Sequence, residues 1–235
     1  NAVAQRSRTW RVAYLVSGRA AATTPVIKDT LRSLGYEEGK NLVFEVREAN
    51  GHYSELPDLM QQLLQLKPDV IIAEATPAIA AAQKATSTIP IVMSPSTDPI
   101  GSGFVKSFAR PGGNITGVAN MFGDLTAKTL DIVQLVFPNV AKLGVLTSNN
   151  PTHPALYEVA RDAAAKIGIS AERYIAANPE DLKKAYQDMK AGGCDVVYVL
   201  ADPIRPSLPP IALEHRLPSV FQVNSYTELG GLMSY

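Results

Sequence analysis

At 235 residues, with 46% hydrophobic and 19% charged residues, the chain can bury one large core or two modest ones, which excludes a disordered segment. Lysine plus arginine and aspartate plus glutamate balance at 22 each, with no basic run. That excludes a nucleic-acid footprint or a polybasic membrane contact as the organising feature, and points to a neutral or small partner.

The only cysteine, Cys194, leaves no internal disulfide and no multi-cysteine metal site. No segment approaches the ~18 uninterrupted apolar residues of a membrane helix. The first residue is Asn1 rather than Met, as in a protein whose signal segment has been removed or one carrying a cloning remnant. A mature exported protein and a trimmed cytoplasmic chain look alike at this level.

Residues 11–16 form a short apolar run ending in Ser17-Gly18, which predicts a buried strand entering a loop. Thr24 as N-cap and Pro25 at the first helical position predict a helix with Val26, Ile27, Leu31 and Leu34 inward, stopped by Gly35. The cycle repeats with a strand at 41–46, a helix at 54–66 facing Leu56, Leu59, Met60, Leu63 and Leu64 inward, and a strand at 69–73. Thr76-Pro77 repeats the cap pair and opens an alanine-rich helix over 77–86, followed by a strand at 90–93 and a turn-rich stretch, Ser94 to Pro99. Strands alternating with helices predict a parallel, doubly wound sheet.

Beyond Arg110-Pro111-Gly112-Gly113-Asn114, residues 115–120 predict a fifth strand, and Asp124 the cap of a helix carrying Leu125, Ile132, Val133 and Val136. The rhythm then restarts: strand 142–146, helix 154–167, strand 169–175, a helix capped by Asn178-Pro179 and running to 190, and strands 195–200 and 218–223. A helix over 205–216 has irregular first turns because of Pro206, Pro209 and Pro210. Two similar α/β lobes follow, 9–118 and 119–229, with 230–235 starting another connection.

In such sheets ligands bind beyond the carboxyl ends of the strands, where neighbouring strands send their helices to opposite faces. For the order 2-1-3-4-5, those ends are Ser17 and Thr76 with Ser94 and Asp98 beside them, then Asn120. In the second half they are Asn149, Asn150 and Asp202, with Asn224 beside them. These hydroxyls, amides and carboxylates suit a small polar or zwitterionic solute. Helix N-termini such as that at Thr76 take a carboxylate, and Asp202 takes an ammonium. Each residue alone also fits a cap or a turn; the joint placement carries the reading.

Catalysis is poorly supported. Gly18 is followed by Arg19-Ala20-Ala21-Ala22, so neither a dinucleotide fingerprint nor a P-loop is present. His52, His153 and His215 show no metal-ligand spacing; His153 lies near the Asn149-Asn150 loop, from which it could reach a cleft, and reads first as a solvated helix-end residue. Cys194 reads as a core thiol, and Tyr14, Tyr198 and Phe221 as packing residues. No metal or cofactor is expected.

Pro90-Ile91-Val92, Asp98-Pro99, residues 101–104, the run Ala109-Arg110-Pro111-Gly112-Gly113-Asn114-Ile115-Thr116-Gly117-Val118, Leu143-Gly144-Val145-Leu146, Arg216-Leu217-Pro218 and residues 230–235 together resemble the ABC-transporter substrate-binding protein family that includes tryptophan-binding lipoproteins. The resemblance implies a type I periplasmic-binding-protein fold: two doubly wound parallel-sheet lobes with a hinge and an interlobe cleft. It implies a monomeric, periplasmic or otherwise extracytoplasmic receptor, not an enzyme, that hands an amino acid, aromatic ones included, or another small organic acid to an ABC permease in the membrane. Members often carry a lipidated N-terminal cysteine, absent here, and continue past the Ser-Tyr motif with a return crossover. Residues 94–98 then form a ligand wall and 110–120 lead into the hinge strand. A ligand-sensing domain of a regulator or receptor is the alternative on the same architecture.

Overall fold

In the computed structural model, which describes residues 8–203 and 208–235, the alternation of apolar runs and amphipathic stretches becomes two compact units divided between Ala119 and Asn120. The first unit contains β1 (Trp10–Val16), α1 (Thr23–Ser33), β2 (Leu42–Glu48), α2 (Leu56–Gln65), β3 (Val70–Glu74), α3 (Ala75–Ala85), β4 (Ile91–Thr97) and β5 (Ile115–Asn120). Its sheet runs in the order β2-β1-β3-β4-β5, with β1, β2, β3 and β4 paired in parallel.

The period-2 alternation of β1 sends Val12, Tyr14 and Val16 to one face, against Phe44 and against Ile27 and Leu31 of α1. Ala13 and Leu15 go to the other face, against Ile71, Met60 and Leu63 of α2, and Ala78, Ile79 and Ala82 of α3. The alanines of α3 let that helix lie close to the sheet. Because α1 and α3 cover opposite faces, the switch point lies between β1 and β3.

The second unit contains α4 (Phe122–Val136), β6 (Lys142–Thr147), α5 (His153–Lys166), β7 (Ser170–Ile175), α6 (Asp181–Ala191), β8 (Val196–Val199), α7 (Leu208–Glu214), β9 (Ser219–Phe221), α8 (Ser225–Glu228) and β10 (Met233–Ser234). Its sheet order, β10-β9-β8-β6-β7, repeats that of the first, with β10 in the fifth place. Helices α4 and α5 pack Leu130, Val133 and Ala160 on one face; α6 and α7 pack Tyr186, Met189 and Leu208 on the other.

Both units use one device at the entry of the sheet. Asp69, just before β3, accepts the Arg11 N–H at 2.8 Å. Asp195, just before β8, accepts the Ala141 and Lys142 N–H groups at 2.9 Å. Each carboxylate therefore ties the amino ends of two neighbouring strands.

Several expected boundaries shift. Helix α1 begins at Thr23 and carries only Ile27 and Leu31 inward, whereas Val26 and Leu34 are 65% and 67% exposed. Strand β4 does not stop at Met93 but continues to Thr97, so Ser94 and Ser96 belong to a strand rather than a loop. Asp124 is not a cap: it lies in the first turn of α4, where a carboxylate favours the helix dipole. Leu125 and Val136 face outward, and Thr126 and Thr129 are buried in their place. Those two hydroxyls are satisfied by the Phe122 and Leu125 carbonyls one turn back. Asn178 does stand ahead of α6, where its Oδ1 accepts the Asp181 N–H while Asp181 accepts the Ala177 N–H. The expected start of a helix at Arg205 lies outside the described residues.

The Arg110-to-Gly117 run acquires a physical reason. Asn114 donates to the Ile89 carbonyl at 2.7 Å, fastening the connection to the chain entering β4. Gly117 has φ +140°, and a Cβ there would stand 2.4 Å from the Met93 carbonyl oxygen and 2.5 Å from its nitrogen. Only glycine fits.

Candidate functional site

In the first unit the switch point is built around Ser17, which is fully buried at the end of β1. Its hydroxyl donates to the Glu74 carbonyl at 2.9 Å and accepts the Ala78 N–H at 3.1 Å, spanning from β1 to β3 and into α3. Helix α3 has no side-chain cap of its own, and Thr76 is not its N-cap. The helix begins at Ala75, whose φ of +65° turns the chain sharply out of β3. Thr76 is buried in the first turn, and its hydroxyl accepts the Thr97 N–H at 3.3 Å, bracing β4.

Ser94 is half-buried on β4. Asp98 is exposed with φ +45°, and its carboxylate accepts the Gly101 N–H at 2.9 Å, closing the turn that follows. Asn120 is half-buried at the end of β5.

Two further carboxylates stand at this edge that the strand patterns did not single out. Glu48 and Glu74 end β2 and β3, and both register with Val16, so they flank β1 on one face. Glu74 accepts from the Tyr14 hydroxyl and, at 3.1 Å, from Thr23; Glu48 accepts the Ala20 N–H at 2.9 Å. Burial holds the Glu74 carboxyl above its ordinary value; the Tyr14 and Thr23 hydroxyls work against that shift and the nearby Glu48 charge adds to it. Burial and the Glu74 contact push the Tyr14 phenol far up, so it remains a donor. A glutamate closing an otherwise apolar strand run was the available signal.

In the second unit the equivalent edge joins Ser148, Asn149 and Asn150, after β6, to Ala201 and Asp202, after β8. Ser148 and His153 are buried, and the Asp202 side chain has no exposure. The Ser148 hydroxyl donates to Asp202 and accepts the Asn150 N–H at 3.0 Å. Asn150 Oδ1 accepts from the Thr152 N–H and hydroxyl at 3.2 and 2.9 Å. Asn149 is the exposed member of this turn.

His153 is therefore not a solvated helix-end residue. Its Nδ1 accepts the Ser148 N–H at 2.8 Å, and its Nε2 lies 3.2 Å from the Ala201 carbonyl. Ser148, His153 and Asp202 are not arranged as a hydrolytic relay: the Ser148 hydroxyl lies 3.1 Å from His153 Nδ1, but its proton goes to the Asp202 carboxylate and Nδ1 takes the Ser148 backbone N–H.

Next to this edge, Gln222 Oε1 accepts the Ala201 N–H at 2.7 Å, and its Nε2 donates to the Tyr198 hydroxyl at 2.7 Å. The Tyr226 hydroxyl donates to the Asp202 carbonyl at 3.0 Å, with its ring stacked on Phe221 at 4.9 Å. Asn224 is exposed at the N-cap position of α8, where its carbonyl, not its side chain, takes the Thr227 hydroxyl at 2.6 Å.

Of the nine expected residues, Ser17, Thr76, Asn150 and Asp202 are buried braces, Asp98, Asn149 and Asn224 are exposed, and Ser94, in the middle of β4, and Asn120 are half-buried. Two recesses among the described residues lie away from these groups. A slot of about 180 Å³ lined by Trp10, Leu42 and Val70 sits at the amino ends of the first three strands. A groove of about 380 Å³ beside Leu217, Pro218 and Leu232 sits at the amino end of β9. Among the described residues, no group of three or more His, Cys, Asp or Glu could hold a metal ion, and no helix is long and apolar enough to cross a membrane.

The sequence profile of a family described as ABC transporter substrate binding protein matches residues 11–231. A tyrosine-binding protein from Clostridioides difficile strain R20291 is 28% identical over 207 residues, 86% of this chain and 59% of that protein. The chain thus spans 59% of the length of this curated relative. Among solved structures, a conserved domain protein from Vibrio cholerae O1 biovar El Tor superposes with a TM-score of 0.85 at 31% identity, over 97% of this chain and 78% of that one. A domain from Streptococcus pneumonia in complex with L-Trp superposes at 0.83 with 24% identity, over 96% and 78%.

Proposed function

Because the chain belongs to the ABC transporter substrate-binding protein family, a family of solute-binding proteins rather than enzymes, we propose that it is the extracytoplasmic solute receptor of an ABC importer. Its two doubly wound units have the type I periplasmic-binding-protein fold. The solute is an amino acid, aromatic ones included, or another small organic acid, held by polar groups at the carboxyl ends of the strands and passed to a membrane permease. The single observation carrying this reading is the repetition of one strand order in both units, with polar groups gathered at the carboxyl ends of the strands in each. The similarity to a tyrosine-binding protein and to a domain solved with L-Trp supports an aromatic amino acid as first choice.

Within the site, the exposed Asn149 and Asn224 and the half-buried Ser94 and Asn120 meet the solute. Ser17, Thr76, Asn150 and Asp202 act from behind, holding strand ends and helix starts, and Asp98 shapes its turn.

Thermal unfolding in the presence of single amino acids and aromatic acids tests the reading. A solute at ~100 times its dissociation constant adds about 2.7 kcal/mol of stability, an easily measured rise. A series in which every amino acid and aromatic acid leaves the transition unmoved would remove the proposal.

A further inference from the structure

Histidine 153 serves neither the core clusters nor any relay, yet it is fully buried at the first position of α5. A backbone N–H can only donate, so the 2.8 Å contact from Ser148 N requires Nδ1 to be an acceptor. The ring proton then sits on Nε2 and is given to the Ala201 carbonyl at 3.2 Å. One neutral imidazole therefore joins the residue that follows β6 to the residues that follow β8. These two strands are hydrogen-bonded neighbours at the second switch point.

The turn it holds is short. Ser148 is fixed by His153 on its N–H and by Asp202 on its hydroxyl, and Asn150 is fixed by the Ser148 hydroxyl and by its own bonds to Thr152. Between these two anchored residues stands Asn149, with its side chain in solvent. In the first unit a serine, Ser17, bridges the corresponding strand ends.

We propose that His153 is a positioning residue of the solute site: by clamping Ser148 to Ala201 it sets the direction in which Asn149 and the turn backbone meet the solute. The titratable and charged group that faces the ring from β8 is Asp202, 3.7 Å from Nε2. This rests on the solute-receptor reading above.

Two variants separate the halves of the clamp. In His153→Asn the amide oxygen stands where Nδ1 stood and can still take the Ser148 N–H, while the reach to Ala201 is lost. In His153→Gln the amide nitrogen stands where Nε2 stood and keeps the Ala201 bond, while the Ser148 acceptor is lost. Each variant gives up one hydrogen bond, so their melting temperatures should fall alike. The proposal expects their solute affinities to diverge.

The probes are L-tryptophan and L-tyrosine, measured by calorimetric titration on the intact chain. With the probe that the wild type binds, His153→Gln should weaken binding about tenfold or more, because binding must re-form a turn whose buried N–H has no acceptor. His153→Asn should stay within about threefold of the wild type. Equal losses in the two variants, or no loss in either, would overturn the proposal.

Two solute-free measurements accompany the titration. Imidazole nitrogen–proton NMR, with His153 assigned by its absence in His153→Asn, should show Nδ1 unprotonated; a proton on Nδ1 overturns the clamp. Amide exchange at Ser148 should be slow in the wild type and in His153→Asn and fast in His153→Gln; slow exchange in all three overturns it. A wild type that binds neither probe removes the receptor reading for aromatic amino acids, and the clamp itself is then decided by the exchange and NMR results.

Discussion

Ser17→Ala removes a hydroxyl that caps a helix from a neighbouring strand. Helix α3 has no side-chain cap of its own, and Ser17 supplies the acceptor for the Ala78 N–H while donating to the Glu74 carbonyl, inside a fully buried site. Loss of a cap costs ~1 kcal/mol and loss of a second buried hydrogen bond a similar amount, so the sum is about 2 kcal/mol. For a chain of this size that corresponds to a fall of roughly 4–8 °C in melting temperature. Thermal unfolding followed by circular dichroism measures it, with Ser33→Ala as control because the Ser33 hydroxyl bonds the Thr30 carbonyl at an exposed site. A Ser17→Ala transition that moves no further than the control would refute the idea that Ser17 braces the switch point.

Three other perturbations follow from the same geometry. Gly117→Ala places a Cβ against immovable backbone of Met93 at a φ that side chains avoid, and should cost roughly 3 kcal/mol or more, whereas Gly113→Ala, with open space around it, should be near neutral; denaturant melts of the two variants compare them. Tyr198→Phe strands the Gln222 Nε2–H and should cost about 1–3 kcal/mol. Tyr157→Phe, which loses a 3.3 Å bond to the Ala171 carbonyl, should cost less in the same assay. Burial first, and Glu48 in addition, hold the Glu74 carboxyl above its ordinary value of 4.5. The fold therefore favours protonated Glu74, a contribution present below the ordinary value and lost as pH rises through the raised one. Glu74→Gln should gain on the wild type in melting temperature as pH rises from about 4 to about 8, and a difference that is flat or shrinks with pH contradicts this.

What the chain reveals in one dimension, and what it hides, has a physical pattern. The apolar run of β1 and the alanine run of α3 announce strand and close-packed helix because each reports on one element's own burial. Thr76-Pro77 misleads as a cap because the true cap, Ser17, just past the end of β1, stands 58 residues before the helix begins at Ala75. Glu74 closes the apolar run of β3, and its neighbours emerge only when the sheet order places β1 between β2 and β3, with Glu48 and Glu74 on either side of Val16. His153 looks solvated because its partner carbonyl, Ala201, is 48 residues away. The Ser94-Pro95-Ser96 stretch reads as a turn, yet β4 carries it as strand. Helix α8 and strand β10, at 4 and 2 residues, are too short to show any period.

The central claim is that this chain binds a small solute reversibly and without turnover, with aromatic amino acids as first choice. Calorimetric titration of the chain with L-tryptophan and with L-tyrosine, with recovery of the unchanged solute afterwards, tests it most directly. Saturable one-to-one binding of at least one of them, weakened by Asn149→Ala, is the expected result. Heats no larger than dilution for both, alongside melting curves unmoved by any amino acid or aromatic acid, would contradict it, as would chemical conversion of the bound solute.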